Sequence, residues 1–192
     1  MIIPSHGNNL APVTLLTVRS QQARESADIE AAAVIPAPPE EVFAFLSDLA
    51  NHWRLTDRFV EMVELRDSTG GRVRLRGPLG IRRTVATQVT AARAPRLIIG
   101  VAEIGEPDES PTRARVSWTL AGRLAQTRVL LKAEIEQAQP LDRLLLALGG
   151  RAWLRRSFDR TLERLARRFE AGAVQAPVGS GLHDDPAGAT LE

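Results

Sequence analysis

The chain has 192 residues, of which 44% are hydrophobic and 25% charged, a composition typical of one globular domain with short tails. It contains no cysteine, which excludes disulfides, thiolate metal sites and cysteine nucleophiles, and it contains no tyrosine. The formal net charge is only +2, so the sequence pI of about 10.2 reflects a small surplus of arginine. Charge alone therefore does not indicate a nucleic-acid partner.

Both ends of the chain are predicted to lie outside the folded domain. Residues 1–27 are predicted to be a flexible extension, because they lack the basic start and apolar core of a secretory signal and end in a polar stretch. Residues 171–192 are rich in glycine, alanine and proline, which predicts a disordered tail. The domain is therefore predicted over residues 28–170. The lack of cysteine, signal and long apolar stretch favours a cytoplasmic location.

The domain begins with a predicted strand over residues 28–36, which ends at Pro36. The run 38–41 (PPEE) then predicts a helix start, because proline suits the first turn and carboxylates favour the positive end of a helix. Asp48 is predicted to cap a second short helix that runs through Trp53. Two short helices therefore follow the first strand.

Six further strands are predicted from alternating polarity and from the turn residues between them. They cover residues 58–66, 72–76, 81–91, 96–104, 112–120 and 127–136. In most of these segments one set of alternate positions is apolar and the other carries arginine or other polar residues. The apolar set, predicted to face inward, includes Val73, Leu75, Val85, Val116, Trp118, Val129 and Leu131.

The apolar spacing then changes to three and four residues, which predicts one long helix from Pro140 to about Phe169. Its apolar stripe includes Leu145, Leu148 and Ala152. The pair Gly149-Gly150 lies inside this helix and is predicted to weaken or kink it. One strand, two short helices, six strands and one long helix predict an α+β fold. Neighbouring strands would pair in sequence, and the long helix would lie across the concave side of a curved sheet.

A local motif adds to this order of elements. The first strand ends in Ile35-Pro36-Ala37-Pro38, residues 41–48 (EVFAFLSD) follow, Trp53 comes shortly after, and Phe158 and Leu162 lie in the last helix. Over residues 28–170 the chain thereby resembles the SRPBCC superfamily, which includes START lipid-transfer domains, birch-pollen-allergen-like proteins and bacterial polyketide cyclase/dehydrase-like proteins. The resemblance implies a helix-grip fold, in which a curved seven-stranded antiparallel sheet wraps around the long C-terminal helix.

The resemblance also implies an apolar cavity between the sheet and the last helix, for a lipid, sterol, polyketide or other hydrophobic ligand. Its predicted lining consists of two aromatic side chains and the inward-facing aliphatic side chains. These residues are Trp53, Val73, Leu75, Val85, Val116, Trp118, Val129, Leu131, Leu145, Leu148 and Ala152. The alternative for the two tryptophans is plain core packing, in which they contact no ligand.

Two charged residues are weak candidates for catalysis. Arg83 has the strand parity of Val85, so it would point inward and clamp a carboxylate or enolate; otherwise it is solvated at a strand end. Glu103 has the parity of Val101 and would act as a buried acid or base; otherwise it is exposed near a loop. Thr87 and Gln88 complete the polar groups available to a cyclase.

Metal and cofactor sites are not predicted. His52 is the one histidine inside the predicted domain, and no second histidine or carboxylate has a ligand spacing to it, so it is predicted to lie on the surface of its short helix. No nucleophile elbow or phosphate-binding loop is present.

Arginines are concentrated after residue 71. They cluster in one hairpin (Arg72, Arg74, Arg76, Arg82 and Arg83) and on the last helix, which is consistent with either a solvated face or an anionic partner. Aromatic residues are not interleaved with them, which argues against single-stranded nucleic acid. The sequence therefore predicts a module that binds a small hydrophobic molecule. The alternatives are a polyketide cyclase/aromatase-like enzyme and an interaction protein that uses the arginine-rich face.

Overall fold

The computed structural model describes residues 28–56, 60–76, 80–105 and 111–174. The predicted N-terminal extension lies outside these residues. Seven strands form one sheet: β1 (Ile29–Ile35), β2 (Val60–Leu65), β3 (Gly70–Arg76), β4 (Arg82–Arg93), β5 (Leu97–Ile104), β6 (Thr112–Arg123) and β7 (Gln126–Gln137). The helices are α1 (Pro39–Ser47), α2 (Leu49–Leu55), α3 (Pro140–Leu145) and α4 (Arg151–Val174), with a π-helical segment (Leu146–Gly150) between the last two. Because α4 continues to Val174, the first residues of the predicted tail are helical.

The sheet is antiparallel throughout, in the order β1-β7-β6-β5-β4-β3-β2. Strands β2 to β7 pair with their neighbours in sequence, and β1 closes the far edge by pairing with β7. The register shifts between Val89 and Ala91, in the centre of the sheet, and such bulges bend a strand and increase its twist. The curved sheet and the long C-terminal helix confirm the predicted α+β helix-grip fold.

The two short helices begin where the sequence predicts. Pro39 occupies the first turn of α1, and Glu40 and Glu41 follow it there. The side chain of Asp48 accepts a hydrogen bond from the backbone N–H of Ala50 (2.9 Å), so it caps α2 as predicted. The chain thus turns twice within a few residues, and α2 comes to lie over the concave side of the sheet.

The C-terminal half of α4 fills one end of the sheet. Leu162 and Leu165 are buried in the same core cluster as Ile35 of β1 and Val129 of β7. Arg164 also links α4 to α2 at this end of the sheet, because its Nη1 donates to the carbonyl of Thr56 (2.7 Å), just beyond the end of α2. Part of the arginine-rich face of the last helix therefore holds the fold together.

The predicted kink at Gly149-Gly150 is present. Gly149 has φ +111°, a conformation that glycine adopts without strain, and a Cβ on Gly150 would approach the carbonyl oxygen of Leu145 to 2.7 Å. The π-helical segment separates α3 from α4, where the sequence predicts one continuous helix. No described helix has a stretch that is both long and apolar enough to cross a membrane.

An apolar cavity as the candidate functional site

A cavity of about 330 Å³ lies on the concave side of the sheet, at the end that α4 does not fill. Its walls come from the inner faces of β3 to β7, from α2, and from α3, the π-helical segment and the first half of α4. Most of the lining side chains are apolar. The space is within the size range of small-molecule pockets, which are concave and largely apolar.

Most of the predicted lining residues lie in this wall. The structure places Trp53, Val73, Leu75, Val85, Val116, Trp118, Leu131 and Leu145 there. Trp118 is only 5% exposed and also belongs to the packed core, so the cavity and core-packing interpretations both apply to this side chain. Contact between any of these residues and a ligand remains a prediction.

Three predicted lining residues lie elsewhere. Val129 is fully buried, but in the core with Leu162 and Leu165 at the filled end of the sheet. Leu148 is 75% exposed, and Ala152 is also exposed. A regular helix with a period of 3.6 residues would place Leu148 and Ala152 on the same face as Leu145. The π-helical segment and the positive φ of Gly149 change the direction in which the following side chains point.

Around the break, a different set of residues faces the cavity. Leu146, Gly150, Trp153 and Leu154 line it in place of Leu148 and Ala152. The helical periodicity did not predict the contribution of Trp153. A signal for it was present, because Trp153 closely follows the break predicted at Gly149-Gly150.

Arg83 lies in the wall as its parity predicts, but its charge is already paired. Its Nη2 lies 3.0 Å from Oδ1 of Asp142, the buried residue of α3. The hydroxyl of Thr112 donates to the other oxygen, Oδ2 of Asp142, over 2.5 Å and accepts from the backbone N–H of Gln139. This polar cluster joins β4 and β6 to α3, so Arg83 is neither a solvated strand end nor a free cation.

Glu103 lies on the outer face of the sheet, which agrees with the exposed alternative and excludes the buried acid or base that its parity with Val101 suggested. Its Oε1 is 3.6 Å from Nε of Arg113, and both side chains are more than 40% exposed. On β5 the cavity contacts instead include Ile98, Gly100, Ala102 and Ile104. Both faces of this strand are apolar, so alternation alone did not identify the inner one.

His52 lies in the cavity wall rather than on the surface, which corrects another prediction. Its ring packs 5.2 Å from the ring of Trp118, centre to centre, and its Nε2–H donates to the carbonyl of Leu46 (2.6 Å). A carbonyl only accepts, so this contact places the proton of the neutral ring on Nε2. Burial lowers the pKa of His52 below its ordinary 6.5, against opposing effects of the Leu46 carbonyl and Asp48. The imidazole is therefore neutral at pH 7.

Two buried N–H groups of the wall residues have no hydrogen-bond partner among the described parts of the chain. They are Nε1 of Trp53 and Nε of Arg83. Buried polar groups are normally paired, so each unpaired group needs an explanation. By contrast, the hydroxyls of Thr56 and Thr161, which also line the cavity, donate to the carbonyls of Trp53 and Ser157.

The arginine hairpin is partly neutralised. Arg74 and Arg76 lie 3.7 and 3.3 Å from the same carboxylate, Glu61 on the neighbouring strand β2. Among the residues in the four described ranges, no group of three or more histidine and acidic side chains is placed to hold a metal ion. The apolar cavity is thus the feature most clearly suited to a ligand.

Comparison with known proteins agrees with the fold. The model of the family described as "Polyketide cyclase / dehydrase and lipid transport" matches residues 26–170. No curated protein matches the sequence significantly.

Solved structures with the same fold come from several bacteria. TTHA0849 from Thermus thermophilus has 22% identity and a TM-score of 0.53, covering 76% of this chain and 99% of its own. A conserved protein from Geobacillus kaustophilus has 14% identity and a TM-score of 0.59, with 76% and 96% coverage. Ms6760 from Mycobacterium smegmatis has 14% identity and a TM-score of 0.56, with 78% and 94% coverage. At these identities the likeness shows the fold alone.

Proposed function

Because the chain belongs to the polyketide cyclase/dehydrase and lipid transport family, we propose that its cavity binds a small hydrophobic molecule. The observation that carries this proposal is the apolar space of about 330 Å³ between the sheet and the last helix. Such a space lacks partner atoms for its lining, and a ligand of matching shape restores those contacts. Binding would therefore be driven by burial of apolar surface and by packing.

The inner faces of the strands support this proposal through their small side chains. Gly100 and Ala102 on β5, Ala114 on β6 and Ala133 on β7 all line the cavity. Larger residues in place of the three alanines would fill the space with side chains, as Leu162 and Leu165 do at the other end of the sheet. The pattern fits a site that leaves room for a ligand.

A cyclase-like reaction has less support. Of the polar residues that such a reaction needs, Arg83, Thr87 and Gln88 lie in the wall, whereas Glu103 is on the outer face. Arg83 is engaged by Asp142, and Thr87 donates to the carbonyl of Gly71 over 3.3 Å. Because Arg83 is already paired and Glu103 lies outside the cavity, we propose binding or transport rather than catalysis.

The direct test is native mass spectrometry of gently purified protein that has been incubated with a lipid extract. We expect a bound or exchangeable apolar molecule. Replacing Ala114, which faces the cavity, with phenylalanine should abolish the adduct by filling the space. The matched control is Ala121→Phe, on the outward, exposed side of the same strand, which should leave the adduct unchanged.

Two results would count against a ligand site in this cavity. One is the absence of any adduct with the wild-type protein across the extract. The other is an adduct that persists in Ala114→Phe while circular dichroism shows that the variant is folded, since the molecule would then bind elsewhere.

A further inference from the structure

The charges of the cavity wall are balanced within the protein. Among the described lining residues, Arg83 and Asp142 are the ones that carry formal charge at pH 7, and they form an ion pair of 3.0 Å. An anionic ligand at Arg83 would place a second negative charge beside the buried carboxylate of Asp142, whose charge Arg83 already balances, and this is unfavourable.

The third titratable group of the wall does not supply a positive charge either. His52 is neutral because its burial lowers its pKa, and its Nε2–H is already donated to Leu46. Moving a carboxylate from water into such an apolar space without a partner is costly. The described wall therefore lacks a free cation for an acidic head group.

The two buried polar atoms of the described wall that lack a partner are both donors. Trp53 Nε1 and Arg83 Nε are buried N–H groups without an acceptor among the described residues. The threonine hydroxyls at positions 56, 112 and 161 already donate to protein oxygens. An acceptor oxygen on a ligand would satisfy an N–H group that the fold leaves unpaired, and buried donors gain most from such a partner.

Building on the proposed function, we propose that the cavity selects an uncharged apolar molecule with a carbonyl-type acceptor oxygen, which binds the indole N–H of Trp53. Fatty-acid anions are disfavoured, because Asp142 already balances the charge of the one arginine of the described wall. The site thus combines an apolar volume with one neutral hydrogen bond.

Displacement of a neutral fluorescent probe, N-phenyl-1-naphthylamine, tests this selectivity. The competitors are a medium-chain methyl ketone, the alkane of equal length and the fatty-acid anion of equal length. We expect the ketone to bind about fivefold more tightly than the alkane, because one neutral hydrogen bond contributes about that factor in affinity. The fatty-acid anion should bind most weakly of the three. Trp53→Phe should remove the preference for the ketone over the alkane, because phenylalanine has no N–H group.

The matched control is Trp153→Phe, which makes the same substitution at another residue of the cavity wall. The indole nitrogen of Trp153 is not one of the two buried unpaired groups. This variant should keep the preference for the ketone. An NMR measurement covers the case in which Trp53→Phe does not fold. The chain has three tryptophans, so single variants of the other two identify the indole resonance of Trp53 by elimination. That resonance should shift downfield with the ketone but not with the alkane.

Two failures can be told apart. If neither the probe nor any competitor binds, both the proposed function and this inference are wrong. If the probe binds but the anion competes best, or the ketone and the alkane compete equally, the cavity is a ligand site and the inference about its selectivity is overturned.

Discussion

Replacing Asp142 with alanine tests whether the polar cluster holds α3 against the sheet. Asp142 is 7% exposed and is the buried residue of this helix, whereas Leu141 and Leu144 are both 54% exposed. The side chain joins Arg83 of β4 and Thr112 of β6 to the helix. The substitution therefore removes the main polar attachment of α3 to the wall of the cavity.

The expected loss follows from the two hydrogen bonds. The one to Thr112 is short and buried, and its loss leaves the hydroxyl of Thr112 without an acceptor. The one to Arg83 is charge-assisted, but the Arg83 side chain is 31% exposed and regains water, which reduces the cost. Together they predict a loss of about 3 kcal/mol in the free energy of unfolding for Asp142→Ala. Asp142→Asn keeps an acceptor oxygen and should lose about half as much.

Urea denaturation measures these differences, and a double-mutant cycle with Arg83→Met isolates the coupling between the two side chains. Hydrogen exchange should show the amides of α3 losing protection before those of α4. The control is Asp159→Asn on the exposed face of α4, which should change stability by no more than about 0.5 kcal/mol. A loss below about 1 kcal/mol for Asp142→Ala, or no coupling to Arg83, would refute this account of α3.

Two further predictions concern pH and backbone packing. Below pH 6.5 the unfolded chain protonates His52 before the folded protein does, because burial lowers the folded-state pKa. Acidification through this range should therefore reduce the free energy of unfolding less in His52→Gln than in wild type. The same dependence of the free energy of unfolding on pH in both proteins, measured by urea denaturation, would contradict this. A Cβ on Gly122 would meet the carbonyl oxygen of Gln126 at 2.2 Å, so Gly122→Ala should lower stability by about 2 kcal/mol. Gly172→Ala, in open space on α4, should stabilise slightly or have no effect, and thermal unfolding compares the two.

The pattern of the strands could be predicted from the sequence because turn residues separate most of the strands. The alternation of apolar and polar residues identified the inner face of a strand where the outer face carried arginine, as around Val73 and Leu75. It failed on β5, where Val101 and Ala102 are both apolar and Glu103 lies on the outer face. Which face is inward depends on where the last helix packs, and a single strand does not encode that.

The last helix shows a second limit. The pair Gly149-Gly150 was enough to predict a break, because glycine tolerates a positive φ. The direction of the chain after the break was not predictable, since a π-helical segment changes the phase of every following residue. Leu148 and Ala152 therefore left the predicted stripe, and Trp153 and Leu154 entered the wall.

The polar part of the site depends on contacts between residues far apart in the chain. Asp142 meets Arg83 across 59 positions, and His52 meets Trp118 of a strand that follows much later. Local patterns describe Asp142 as a favourable charge in a helix start and His52 as an exposed residue of a short helix. Neither pattern contains the partner that buries the side chain.

The empty volume itself has a local signature in the sequence. Small residues occupy inward positions on adjacent strands, at Gly100, Ala114 and Ala133, and Gly150 occupies the facing helical segment. At the other end of the sheet the facing positions are filled by leucine side chains. Small inner residues leave contacts unmade and so reduce stability, a loss that a bound apolar molecule offsets. Replacing the two alanines, Ala114 and Ala133, with larger aliphatic residues should therefore stabilise the free protein at the expense of binding.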